Sequence, residues 1–413
     1  MPRHNLRTKN ELTADVASEH LSGRIAMTSF IPLRSDIFNF TTQGFEFPAP
    51  GPDTVKVFPD VTIASDLLDA IDSELPNSVL INAGNIVSRS HGVFFDFTAA
   101  NSIITNTAEG LILGVFAVEM TGTGYQTFNN FGKVISTVAF GVLFSGNAQS
   151  VVVNNHGSIL AAEMGIQNGA ASGVINNFHL INASGVNGVG IHLNTQNLLT
   201  TTINNAPAAI IKGTMDAIAA DGGMFSIHNL GRVHGDISDN ANLHDVVINH
   251  GTINGNVDLG GGNDLFNGTG GKSGPVFGGD GSDRLIGGSG KDLLHGDDGN
   301  DKLTGGPGAD QFFFDSTLNP VTNVDTITDF TSLQGDRIVL SDADFAALGS
   351  FGRLSAPHFH IGRPTNGNPQ IDYNHRTGFL FYDPDGNGGA APVHFATLAN
   401  HATIKAGDFF LIA

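Results

Sequence analysis

Gly278-Gly-Asp-Gly281-Ser-Asp283-Arg-Leu285-Ile, Gly287-Gly-Ser-Gly290-Lys-Asp292-Leu-Leu294-His, Gly296-Asp-Asp-Gly299-Asn-Asp301-Lys-Leu303-Thr and Gly305-Gly-Pro-Gly308-Ala-Asp310-Gln-Phe312-Phe follow one another without a break. Each is one copy of the nonapeptide Gly-Gly-x-Gly-x-Asp-x-apolar-x. An earlier copy, Leu259-Gly260-Gly-Gly262-Asn-Asp264-Leu-Phe266-Asn, lacks the first Gly, and residues 268–277 between it and the run form a degenerate unit with Ser273 at the Asp position and Lys272 beside it. A flexible glycine linker carries no phased Asp and no phased apolar residue. Calcium is a hard ion that takes six to eight oxygens, and backbone carbonyls supply several of them where a turn has no side chains in the way. The candidate ligand loops are therefore Gly260, Gly262 and Asp264; Gly278, Gly279, Gly281 and Asp283; Gly287, Gly288, Gly290 and Asp292; Gly296, Gly299 and Asp301; and Gly305, Gly306, Gly308 and Asp310. The apolar residue two positions after each Asp points inward from a short strand. Asp280, Asp297 and Asp298 are off phase and are weaker candidates.

A longer repeat precedes this run. From residue 80 to 253 the pattern apolar-x-Asn-x-Gly-x-apolar recurs about every two dozen residues, with its Asn at Asn82, Asn106, Asn130, Asn155, Asn177, Asn205, Asn229 and Asn249. A second apolar run follows each Asn, as in Gly92-Val-Phe, Gly141-Val-Leu and Gly165-Ile, so each unit holds two or three short strands. Units of this length, rich in Val, Ile, Thr, Asn and Gly and without a 3.6 period, fit the coils of a parallel β-helix. Gly at the corners tolerates left-handed angles, and Asn in successive coils can hydrogen-bond up the stack. Residues 31–79 stand outside the repeat, include a short amphipathic stretch, Ser65–Leu75, that could be helical, and read as the cap of the first coil; residues 1–30 read as disordered.

The tandem nonapeptides resemble the β-roll of the RTX (repeats-in-toxin) haemolysin-type calcium-binding proteins. That resemblance covers residues 259–313. It implies that loops two repeats apart share an edge, with Asp264, Asp283 and Asp301 on one and Asp292 and Asp310 on the other, and that about three calcium ions bind as a minimum. Beyond Phe313, the segments Asp325-Thr-Ile-Thr-Asp-Phe330, Gly335-Asp-Arg-Ile-Val-Leu340, Tyr382-Asp-Pro-Asp-Gly386 and Asp408-Phe-Phe-Leu-Ile-Ala413 are similar to the C-terminal domain of the same family. There the similarity implies an uncleaved signal for type I secretion, an export apparatus as partner, and an extracellular or cell-surface location.

Composition agrees with this expectation. The 413 residues contain no Cys, which removes disulfides and thiolate metal sites. A net charge of −20 disfavours nucleic acid as a partner and favours cations. The last Glu is Glu163, whereas fifteen Asp lie between residues 250 and 345 against five Lys or Arg. The first thirty residues lack the apolar core of a secretory signal, and there is no apolar run long enough to span a membrane.

The expected architecture is thus all-β: a disordered segment over 1–30, a cap over 31–79, a right-handed parallel β-helix over 80–258, a calcium β-roll over 259–313, and a β-sandwich-like secretion domain over 314–413. No His-Glu-x-x-His or Gly-x-Ser-x-Gly occurs, the pair His358 and His360 reads as one face of a surface strand, and Asp216, Asp221, Asp236, Asp239 and Asp245 form no tandem pattern. No catalytic residue is assigned. Two readings of the β-helix stay open: a surface or matrix interaction module, and a lyase or epimerase acting on an extracellular polysaccharide.

Overall fold

In the computed structural model the described residues are 54–413, apart from 67–68, 97–98, 146–147, 196–198, 350 and 363–366, together with the backbone of strands at 31–33, 37–40 and 45–46. The segment 1–30 lies outside them. The chain divides into two compact units, Met1–Gly223 and Met224–Ala413. The described residues contain no α-helix.

In the first unit the repeat becomes a parallel β-solenoid with three strands per coil. One ladder stacks Thr54–Val57, Val79–Asn82, Ile103–Asn106, Gly124–Asn130, Ala148–Asn155, Gly173–Asn177 and Thr201–Asn205 in parallel order. The second and third strands of each coil form ladders of their own, and Ile210–Gly222 serves both. Alternation along each strand sends every second side chain inward, and like sits on like: Ile63, Ile86, Ile112, Val134, Ile159, Ile181 and Ile211 are register neighbours in turn and all are buried. Ser65–Leu75 is not helical: Thr62–Ser65 and Ile71–Ser73 are strands of the coil that begins with Thr54–Val57, because Ile63 and Ile71 are needed inside it.

The motif asparagines form a continuous buried ladder. Asn82 donates through Nδ2 to Oδ1 of Asn106 at 2.8 Å, and the series continues to Asn130, Asn155, Asn177 and Asn205 at 2.8–2.9 Å. In the second unit Asn229 donates to Asn249 at 2.8 Å. The glycine two places later has a different role from the one its motif suggests. Gly132 and Gly157 do not adopt positive φ; a Cβ on Gly157 would overlap the Gly132 carbonyl, and one on Gly132 the Gly110 carbonyl, so the requirement is close approach between coils.

The second unit is itself a parallel stack, of shorter coils. One ladder runs Phe225–Asn229, Val246–Asn249, Leu265–Asn267, Arg284–Ile286, Lys302–Thr304 and Asp325–Ile327. The facing ladder runs from Arg232–Asp239 through Val276–Phe277, Leu293–His295 and Gln311–Phe314 to Arg337–Ser341. Phe266, Leu285, Leu303 and Ile327 fill one inner column, and Val276, Leu294, Phe312 and Ile338 the other. Past residue 341 the strands extend these sheets: Phe409–Ile412 lies parallel to Arg337–Ser341, Val393–Leu398 parallel to Asp325–Ile327, and Gln370–Asn374, Phe379–Asp383 and Val393–Leu398 form an antiparallel meander. His358 ends a 3-10 turn, Ala356–His358, while His360 is on the strand Phe359–Ile361, so the two do not share a strand face.

Truncating the ladder tests how much it holds. Asn130→Ala strips the buried Asn106 amide and the Asn155 carbonyl of their mutual partner and is expected to cost about 2–4 kcal/mol in urea unfolding. Asn129→Ala, on the opposite and partly exposed side of the same strand, is expected to cost less than about 1 kcal/mol. Asn129 accepts the Asn154 amide at 2.8 Å in an outer, part-exposed row, so equal losses would mean that burial adds nothing to an amide ladder.

Candidate calcium centre in the β-roll

The nonapeptide folds as a tight loop followed by a three-residue strand, and its glycines are needed where neighbouring loops touch. Gly279 and Gly281 sit at φ 87° and 146°, in the region side chains avoid, and a Cβ on either would overlap the carbonyl of Gly260 or Gly262 one coil back. A Cβ on Gly278, Gly287, Gly296 or Gly305 would run into the carboxyl of its own repeat's aspartate. Loop edges at Gly261–Gly262, Asp280–Gly281 and Asp298–Gly299 pair in parallel as a small third sheet. The result is a stack of side-chain-free turns in close contact.

The aspartates form two columns. Asp264 donates its backbone N–H to Oδ1 of Asp283 at 2.7 Å, and Asp283 does the same to Asp301 at 2.8 Å. On the other edge the Asp292 N–H reaches Oδ1 of Asp310 at 3.0 Å. Both columns are longer than the glycine motif. The Asp245 N–H donates to Asp264 at 2.6 Å, Asp301 to Asp325 at 3.1 Å, and Asp310 to Asp336 at 3.0 Å. Asp239, whose Oδ2 accepts from the Ala241 N–H at 3.1 Å, stands beside Asp245 at the head of the first column.

These additions were hidden because the glycines are gone from their loops. What remains in Asp245-Val-Val247, Asp325-Thr-Ile327 and Asp336-Arg-Ile338 is the Asp-x-apolar phase, which was the readable signal. The degenerate unit also needs a correction. Val276 pairs with Leu294, and two residues before these stand Gly274 and Asp292, so Gly274 rather than Ser273 occupies the aspartate position.

In most of the first column and at Asp310 in the second, one carboxylate oxygen is satisfied by backbone and the other is not, whereas both oxygens of Asp336 accept backbone N–H groups, from Asp310 and Thr331. Oδ2 of Asp245, Asp264, Asp283, Asp301 and Asp310, and Oδ1 of Asp239, are buried without a hydrogen-bond partner. A buried anion in that state is costly, and the carboxyls respond by holding their protons. Burial pushes Asp245 up to about 8, Asp264 and Asp301 to about 7, and Asp283 and Asp310 to about 6; backbone N–H donors offset part of this, and neighbouring carboxylates add to it. Burial, then the Asp301 charge, raises Asp325 as well. Unpartnered carboxylate oxygens beside side-chain-free turns, with no nitrogen or sulfur donor among them, are a fit donor set for calcium.

The sign of these shifts sets a pH dependence for the ion-free protein. Carboxyls whose folded pKa lies above the unfolded value near 3.8 stabilise the fold fully below about pH 4, and that contribution is lost as pH rises through the range of about 6 to 8. With a chelator present, the β signal of the roll in circular dichroism is therefore expected to be stronger at pH 4.5 than at pH 8, the reverse of ordinary acid denaturation. A chelated protein that gains structure on alkalinisation would contradict the column geometry.

Comparison with protein families matches residues 277–312 to the RTX calcium-binding nonapeptide repeat, in four copies. Neither curated proteins nor solved structures gave a match. Residues 277–312, four tandem nonapeptides folded as stacked glycine loops with their aspartates aligned in columns, therefore carry the RTX calcium-binding repeat.

Proposed function

We propose that this is an extracellular protein whose second unit folds on calcium after type I export and whose solenoid coils serve as a surface or matrix interaction module. The observation that carries the reading is the row of buried, unpartnered carboxylate oxygens along the first column, with that of Asp310 in the second. The repeat glycines' carbonyls with Asp264, Asp283 and Asp301 on one edge, and with Asp292 and Asp310 on the other, would hold the ions; bound calcium supplies the positive charge that lets these carboxyls ionise. At cytosolic calcium the ionised columns repel and the roll stays open, the state a type I apparatus can pass. Residues 314–413 are then the export region, and millimolar calcium outside the cell closes the loops.

A surface role for the solenoid agrees with the state of one of its imidazoles, His91. Nδ1 of His91 lies 2.6 Å from Asp69 and Nε2 lies 2.8 Å from Glu119. Burial alone would depress this imidazole, but the two carboxylates outweigh it and push it up to about 9. A cation with both nitrogens engaged is unsuited to general-base work at neutral pH.

Titration of the chelated protein at pH 8 should give a cooperative rise in β signal with calcium and none with magnesium, which dehydrates reluctantly. Asp283→Ala should weaken the calcium midpoint by at least about tenfold, whereas Asp60→Ala, at an exposed position, should leave it unchanged. Asp239 is no control, since it heads the column. A signal indifferent to calcium would end the proposal. Incubation with alginate or pectin is expected to yield no unsaturated ends or epimerised residues; turnover abolished by a substitution in the solenoid would replace the surface module by a polysaccharide-modifying enzyme.

A further inference from the structure

The ninth position of the four tandem repeats holds Ile286, His295, Thr304 and Phe313, so His295 is the only one of them that can bind a metal. Its ring is clamped between Phe277 and Phe313, with centroids 4.3 and 3.9 Å away, and the residue is 8% exposed. Nδ1 faces Oδ2 of Asp315 at 3.0 Å. Two residues beyond the imidazole stands Asp297, at the loop position where the first and fourth tandem repeats carry Gly279 and Gly306. All three have positive φ, of 65°, 87° and 88°, so here an aspartate takes a backbone conformation that glycine adopts elsewhere in the run. Its Oδ2 accepts the Gly279 N–H at 3.2 Å. One donor atom each from His295, Asp297 and Asp315 fall within 4.8 Å of one another.

We propose that His295, Asp297 and Asp315 form a site for a first-row transition-metal dication of the zinc class, separate from the calcium columns. Two ligands bound at about 2.1 Å in a tetrahedral site lie about 3.4 Å apart, so the His295 and Asp315 atoms, 3.0 Å apart, need to open by only about 0.4 Å to take such an ion. The set supplies one imidazole nitrogen and two carboxylates, which balance a divalent charge, and Asp315 is exposed, leaving room for water as the remaining ligand. The nitrogen is what separates it from the columns: calcium prefers oxygen alone, whereas zinc binds imidazole and carboxylate together. The aromatic clamp fixes the ring before any ion arrives, so little rotamer freedom is lost on binding. The competing interpretation is a plain His295–Asp315 ion pair.

Zinc binding to the full-length protein should be measured by equilibrium dialysis in 5 mM calcium, with circular dichroism verifying that the roll is folded. The wild-type protein is expected to bind one more zinc ion than His295→Phe, a variant whose new ring matches its two stacking neighbours and so should fold. Asp315→Asn should weaken that ion at least tenfold while leaving the calcium midpoint within twofold. Cobalt, used as a spectroscopic probe, should give a visible d–d band in the wild type that is missing from His295→Phe. Equal zinc stoichiometry and affinity in all three proteins would overturn the proposal in favour of the ion pair. Loss of the extra zinc ion on raising calcium to 20 mM would equally overturn it, by making the site one for calcium.

Discussion

A carboxylate stacked on a carboxylate at every coil governs the second unit. Coils of a parallel solenoid are about 4.8 Å apart, and two unit charges at that spacing repel by about 3 kcal/mol at an effective dielectric near 20. The backbone relieves this only in part, because Asp264, Asp283 and Asp301 each receive one N–H from a neighbouring coil on Oδ1 and keep a bare second oxygen. Such a column has two ways out. It keeps its protons, as the raised pKa values of Asp245, Asp264 and Asp301 indicate for the ion-free chain, or it takes up cations. Everything conditional about this fold follows from that choice.

The asparagine ladder of the first unit is the neutral counterpart. An amide carries both a donor and an acceptor, so a column of amides satisfies itself: each Nδ2 finds the next Oδ1 at 2.8–2.9 Å, and a second bond runs from Nδ2 to a backbone carbonyl, as from Asn130 to Ser158. A carboxylate has the same shape and only acceptors. One heavy-atom difference between the side chains of the two columns therefore separates coils that stack unaided from coils that need an ion or a proton.

The sequence made the architecture legible because both repeats are phased to the coil. Asn82 to Asn205 in the first unit, with Asn229 and Asn249 in the second, mark one corner of successive coils, and the nonapeptide marks both edges of the roll. It was less informative where the phase persists without the glycines: Asp245, Asp325 and Asp336 continue the columns in loops whose turns are built from other residues, and only the Asp-x-apolar spacing betrays them. It also misled about cause. The motif glycines at Gly132 and Gly157 suggest left-handed corners, yet what excludes a side chain is the carbonyl of the preceding coil, a through-space contact that no local pattern encodes. His295, Asp297 and Asp315 come from adjoining coils, and their convergence depends on register between them.

The two kinds of column meet in a single strand. Val246–Asn249 is preceded by Asp245, whose N–H enters the carboxylate column through Asp264, and it ends in Asn249, which receives the Asn229 amide. No asparagine follows Asn249 in the ladder; its Nδ2 turns to the Lys272 carbonyl at 2.9 Å, so the amide ladder closes on backbone there. The coil is therefore held on one side by contacts that need no ion and on the other by a carboxyl that burial pushes up to about 8. In a stack where each coil is stabilised by its neighbours, such a coil is a preformed edge on which the charged coils can register. Ordering of the roll then starts from a template instead of paying the full cost of nucleation, and the ions are needed to extend the stack and not to begin it.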